Sequence, residues 1–291
     1  MKKIITWAAG AAVLAAGAAW VLSAPRAFDS GAFAGLAGNA ARGEPIFWAA
    51  GCASCHAAPE GEDLVLAGGQ AFATQFGTFH APNISPDPTH GIGGWTLPEF
   101  ARAIQAGVSP DGAHYFPALP YGAYAKMTAQ DVADLKAYMD GLPADATPSR
   151  AHEIGFPFNI RRSLGLWKLL FLNDTYVING DLTDEQARGR YIAETLAHCG
   201  ECHTPRNALG GLDRSKWLTG APTADGKGKV PGIAGIPWSD SELMTYFTTG
   251  FTPEFDVVGG HMAHVVENLA KLPEPDRAAL IAYLRLVPAA N

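Results

Sequence analysis

The chain has 291 residues, 48% of them hydrophobic and 17% charged, with a formal net charge of −7. That composition excludes a disordered chain, and the negative charge argues against nucleic acid as a partner. The length holds two domains of ordinary size plus connections, and thirty-three glycines with twenty-one prolines point to short helices joined by long loops.

Lys2 and Lys3 precede an uncharged run from Ile4 to Leu22. This run is long for a signal-peptide core and about right for a membrane span. Residues 1–27 are therefore expected to be an uncleaved signal anchor, a transmembrane helix with its lysines cytoplasmic. Cleavage after Ala27 is the alternative, and both forms export the remainder of the chain. Residues 28–39, rich in Gly and Ala, read as a flexible tether.

Two pentapeptides then dominate the chain, Cys52-Ala53-Ser54-Cys55-His56 and Cys199-Gly200-Glu201-Cys202-His203. Each is Cys-x-x-Cys-His, the attachment signature for c-type haem. Two thiols three residues apart on one turn can add to the two vinyl groups of one porphyrin, and the adjacent histidine reaches the iron. A disulfide pair, a zinc knuckle and a thioredoxin-like redox pair are the competing readings. A thioredoxin motif does not demand the histidine, and these are the only four cysteines. Two covalently bound haem c groups are the expected cofactors, with Cys52, Cys55, His56, Cys199, Cys202 and His203 as cofactor-binding residues.

The surrounding sequence repeats. Ala41-Arg42-Gly43 precedes the first motif and Ala187-Arg188-Gly189 the second. Thr96 with Glu99, and Ser239 with Glu242, are capping boxes that start helices; these are expected to stop at Gly107 and Gly250. Val132, Leu135 and Met139, like Ala279, Leu280, Tyr283 and Leu284, recur at helical spacing. No stretch alternates convincingly as a strand, so the expected fold class is all-α. The boundaries read as a first domain over 40–142, an interdomain segment over 143–181 and a second domain over 182–291. Within 143–181, the run from Leu164 to Phe171 is too short to span a bilayer. Packing between the two domains is the expected role, with partner docking or a place at the membrane surface as alternatives.

Both repeats resemble the class I cytochrome c fold, so the chain reads as two tandem domains behind a membrane anchor. In that family the first and last helices cross where a glycine meets an aromatic ring; Gly43 with Tyr138 and Gly189 with Tyr283 fit those roles. A fuller resemblance is to membrane-anchored dihaem and trihaem cytochrome subunits of periplasmic dehydrogenases. It rests on Phe79-His80-Ala81-Pro82-Asn83, Gly91-Ile92-Gly93-Gly94-Trp95, Phe116-Pro117-Ala118-Leu119-Pro120-Tyr121 and His203-Thr204-Pro205-Arg206-Asn207.

Methionine supplies the usual sixth iron ligand in this class. For the second haem, Met262 lies in a glycine-rich stretch read as a loop, with His261 and His264 as rim residues. For the first, some relatives carry Met where this chain has Leu119; relatives without it resemble this chain in having a Met at the place of Met127. His80, His90 and His114 are its rivals, and a staple before a helix cap is its structural alternative. The metal ligands are thus expected to be His56, Met127, His203 and Met262. Trp95, Trp238 and Arg206 are either propionate partners or plain packing and surface residues.

The resemblance implies an electron carrier with no catalytic residues of its own. It would take electrons from a periplasmic dehydrogenase and pass them to a downstream cytochrome, a terminal oxidase or quinone. The alternative is a dihaem enzyme such as a cytochrome c peroxidase or thiosulfate dehydrogenase.

Overall fold

The computed structural model describes residues 2–59 and 61–289. Helix α1 (Lys2–Leu22) stands outside the body, with none of its apolar window buried. Residues 28–39, expected as a flexible tether, are packed instead. Phe33 is buried and stacks on Phe28, and a Cβ at Gly38 would lie 2.1 Å from the Ala133 carbonyl oxygen. Asn39 then caps α2 (Ala40–Ala49), accepting from the N–H groups of Ala41 and Arg42. Gly51, at φ 63°, turns the chain into α3 (Cys52–His56).

Strands β1 (Ala71–Thr74) and β2 (Gly77–His80) form a hairpin, which β3 (Glu153–Ile154) extends. Together with β4 (Ala221–Pro222) and β5 (Lys229–Val230), these strands depart from the all-helical expectation. They have two to four residues each, too few for alternation to register in sequence. Local bonds set the hairpin: Thr74 Oγ1 donates to the Gly77 carbonyl at 2.8 Å and accepts from the Phe76 N–H at 3.1 Å.

Helix α4 (Leu97–Ala106) starts with the expected Thr96–Glu99 capping box and stops at Gly107, φ 61°. Short α5 (Tyr121–Tyr124) leads to α6 (Ala129–Met139), capped by Thr128. Helix α7 (Ser163–Phe171) lies in the segment between the two halves. It touches both. Leu164 packs with Phe79 and Phe116 of the first half, while a Cβ on Gly211 of the second would lie 2.3 Å from the Phe171 ring.

The second half opens with α8 (Asp184–Tyr191), capped by Thr183 and Gln186. It runs on as a π turn, Ile192–Leu196, before α9 (Gly200–His203). Helix α10 (Asp240–Thr249) begins at the Ser239–Glu242 capping box and ends at Gly250, φ 78°. Helices α11 (His261–Ala270) and α12 (Glu274–Leu284) complete the described chain.

One crossing recurs in both halves. Helix α2 meets α6 where a Cβ on Gly43 would lie 2.0 Å from the Asp134 carbonyl oxygen and 2.8 Å from the Tyr138 Cβ. Helix α8 meets α12 where a Cβ on Gly189 would lie 1.8 Å from the Ala279 carbonyl oxygen and 2.9 Å from the Tyr283 Cβ. Only a residue without a Cβ allows that approach. Ion pairs flank both, Arg42 with Asp134 at 2.6 Å and Arg188 with Asp276 at 2.7 Å. A single apolar cluster, including Phe47, Leu135, Ile192 and Leu280, runs through both halves.

Candidate functional site

Each Cys-x-x-Cys-His stretch folds as one helical turn. That turn places the two thiols of a motif on one side and the histidine at its end. All four thiols are free. Burial pushes the Cys52 and Cys199 thiols up to about 12, the opposite of the depressed value that activates a thioredoxin-type pair. Among the described residues, no three His, Cys, Asp or Glu side chains converge as they would around a bare metal ion.

The histidines are oriented alike. His56 Nδ1 donates to the Pro82 carbonyl at 2.8 Å, and His203 Nδ1 to the Pro231 carbonyl at 2.7 Å. Burial lowers the pKa of both imidazoles, with the carbonyl bond acting in opposition. The neutral ring then carries its proton on Nδ1 and leaves the Nε2 lone pair without a hydrogen-bond partner among the described residues, as an iron ligand requires. The backbone around each turn repeats too. The His56 carbonyl accepts from Gly68 N–H and the His203 carbonyl from Gly220 N–H, both at 2.7 Å. Free paired thiols beside an oriented imidazole with an open Nε2 fit a covalently held haem.

Met127 is 5% exposed, directly before the α6 cap, in the cluster that also holds Ala53 and Cys52. Met262 is half-buried against the same cluster. It lies in the first turn of α11 rather than on a loop, because Gly260, at φ 60°, bends the chain directly into that helix. Among the rival histidines, His114 has both ring nitrogens engaged, Nε2 with the Ser23 carbonyl at 2.9 Å and Nδ1 with Lys168 Nζ at 3.2 Å. His80 Nε2 meets Glu153 at 3.1 Å, and His90 is exposed. His261 and His264 are also exposed, in keeping with a rim position. Arg206 is held locally by Glu201 and by the Gly210 carbonyl.

Sequence reading missed the groups that join the two motifs. The Tyr124 hydroxyl donates to the Ala50 carbonyl at 2.9 Å, just ahead of the first motif. His198, immediately before Cys199, stands edge-on to the Tyr124 ring at 5.7 Å. Tyr191 of α8 donates to Asp131 of α6 at 2.5 Å. Lys271 Nζ lies 3.2 Å from the centre of the Trp48 ring. No single-motif signature marks these residues, because each acts across the interface. Pro82 did carry a signal, as part of the His80-Ala81-Pro82-Asn83 stretch.

Helices crossing at glycines and two such turns define the class of covalent haem proteins, the c-type cytochromes. Comparison with known proteins agrees. The cytochrome c family matches residues 40–143. A dihaem cytochrome c-type protein of Cereibacter sphaeroides is 52% identical over 295 residues, covering 99% of each chain. The chain belongs to the dihaem c-type cytochromes. The fructose dehydrogenase cytochrome subunit of Gluconobacter japonicus is 41% identical over 259 residues, 85% of this chain and 52% of that subunit. The cytochrome c subunit of the quinone alcohol dehydrogenase of Gluconobacter oxydans is 32% identical over 263 residues, 85% of this chain and 54% of that subunit. The chain thus spans about half the length of these two subunits. Its cofactors are two covalently bound haem c, and its role is electron transfer rather than catalysis.

Proposed function

We propose that the chain is a membrane-anchored relay that accepts electrons from a periplasmic dehydrogenase and hands them to a downstream cytochrome, oxidase or quinone. The observation that carries this reading is the matched pair of imidazoles, each tied through Nδ1 to a proline carbonyl with Nε2 free. Cys52, Cys55 and His56 would hold one haem c, and Cys199, Cys202 and His203 the other, in tandem class I domains over residues 40–142 and 182–291. Met127 and Met262 would be the sixth ligands. When bound, each haem supplies a one-electron Fe(III)/Fe(II) couple. The protein's work is to hold the imidazoles neutral and oriented, to exclude water with the shared apolar cluster and to fix the two motifs relative to each other.

The dehydrogenase donor is inferred from the relatives, which are cytochrome subunits of fructose, alcohol and gluconate dehydrogenases. Helix α1 supports the anchor by its length and its exposed apolar surface. The test is the visible spectrum of the full-length protein, ferric and ferrous, with and without carbon monoxide and peroxide. Two low-spin haems with the far-red methionine-to-iron band, both indifferent to added ligand, are expected. A high-spin haem that binds carbon monoxide, or turnover of peroxide, would overturn the carrier in favour of a dihaem enzyme.

A further inference from the structure

The end of α1 is built into the body. Ser23 is 3% exposed, and its carbonyl accepts from His114 Nε2 at 2.9 Å. Arg162 closes the helix from the other side: Nε donates to Ser23 Oγ at 2.9 Å and a terminal nitrogen to the Trp20 carbonyl at 2.8 Å. Its guanidinium lies 4.5 Å from the centre of the Trp20 ring. A Cβ on Gly165 would lie 2.1 Å from the Ser23 carbonyl oxygen, so α7 and the helix end are in backbone contact. The apolar helix therefore leaves the body at a fixed point, the N-terminal end of α7.

Around that point the body is unusually apolar. Phe156 is 81% exposed, Phe158 50% and Ile160 46%, in the loop that enters α7. Leu170, at its other end, is 69% exposed. Leu209 is 64% exposed and tied to the same helix, its carbonyl accepting from Trp167 Nε1 at 2.8 Å. Nine residues of helix span about 13 Å, so the patch lies close to the exit. Clustered large apolar side chains on a water-facing surface mark an interaction site. Arg161, exposed between Ile160 and Arg162, is placed to meet lipid phosphates.

We infer that Phe156, Phe158, Ile160, Leu170 and Leu209 enter the headgroup–acyl boundary of the bilayer that α1 crosses, holding the body against the membrane in one orientation. The inference rests on the reading of α1 as a membrane span. What selects lipid over a protein partner is continuity: the patch lies on the loop and helix against which the end of an apolar, unburied helix is packed. A segment packed between α1, α4 and the second half cannot swing that patch away.

The test uses full-length holoprotein in phosphatidylcholine–phosphatidylglycerol vesicles whose acyl chains carry a photoactivatable diazirine, with labelled sites mapped by mass spectrometry. Label is expected on α1 and also on 156–160, 170 and 209. The double variant Phe158→Ser/Leu170→Ser should lose the second set and keep the first. Polarised electron paramagnetic resonance on oriented membranes should find a narrow spread of haem tilt in the natural chain and a broad one in the variant. Label confined to α1 would overturn the inference while leaving the anchor intact. So would a patch that is unlabelled in vesicles yet protected from hydrogen exchange by purified dehydrogenase. An unlabelled α1, with protein washed off by carbonate, would remove the anchor and the inference together.

Discussion

Asn268 donates its side-chain amide to Ser54 Oγ at 2.8 Å, joining the helix that carries Met262 to the first Cys-x-x-Cys-His turn. The two residues are 214 positions apart, and Asn268 is buried. The second half is thereby fixed on the first motif as well as on its own. Replacing Asn268 with Ala should cost about 1 kcal/mol, the usual net worth of such a bond. Guanidinium unfolding of the holoprotein should register this as a lower midpoint with an unchanged slope, and the visible spectrum should not move.

Met127 and Met262 are separable. Met127→Leu should remove the far-red methionine-to-iron band from one haem, and Met262→Leu from the other. Met262→His should keep the second haem low-spin and lower its potential, because imidazole favours Fe(III) relative to a thioether. Spectropotentiometry of each variant checks the assignment. A Met127 variant with an unchanged spectrum would return that residue to its packing role before the α6 cap.

Much of the fold is legible in the sequence because the informative residues act within a few positions of each other. Thr96 with Glu99 and Ser239 with Glu242 form their capping boxes, and Gly107 and Gly250 end their helices as the local pattern requires. Gly43 and Gly189 can be placed at helix crossings because the resemblance to the class I cytochrome c fold implies a glycine there, and the same short pattern occurs twice. What escapes is set by distant partners. Met262 reads as a loop residue since nothing local marks Gly260 as the start of a helix. The packing of residues 28–39 escapes for the same reason: Phe33 finds its pocket against residues far along the chain.

Asp134 should govern part of the acid limb. Its buried carboxylate accepts from Asn39 N–H at 2.7 Å, Gln130 Nε2 at 2.9 Å and Arg42 Nε at 2.6 Å. The Arg42 bond is the main reason its pKa lies below the ordinary carboxylate value. A folded-state pKa below the unfolded one gives stability that is present above the unfolded value and lost as pH falls through the folded one. The natural chain should therefore exceed Asp134→Asn in stability at neutral pH, and the gap should close below about pH 4. Denaturation series at several pH values measure the gap.

Gly189→Ala should be severe. The new Cβ meets the Ala279 carbonyl oxygen, part of a helix backbone that cannot yield as a side chain would. Overpacking of this kind costs about 3 kcal/mol. Gly122→Ala is the control, since a Cβ there meets nothing within 4 Å and the residue is helical. It should be neutral or slightly stabilising, through the lower entropy of the unfolded chain. Paired denaturation curves separate a crowding effect from a general intolerance of alanine.

Lys168 links the end of α1 to the first half. Its ammonium donates to the carbonyls of Ala106 and Gly107 at 2.7 and 2.6 Å and to His114 Nδ1 at 3.2 Å, and lies 4.6 Å from the Tyr121 ring centre. Burial pushes its pKa down to about 7. Those carbonyls end α4, so the lysine caps one helix while orienting the imidazole that holds the end of another. Lys168→Met keeps the stem's volume and deletes the donors, leaving the Ala106 carbonyl and His114 Nδ1 without them, while the Gly107 carbonyl keeps the Tyr115 N–H, at a cost of about 2 kcal/mol. His114 would also lose the partner that fixes its ring, and the Ser23 contact should loosen. Limited trypsin digestion reads this directly, because exposed Arg26 lies three residues after Ser23. Cleavage there should release the holo-body from α1 faster in the variant than in the natural chain. Equal rates would mean that Arg162 alone secures the helix end.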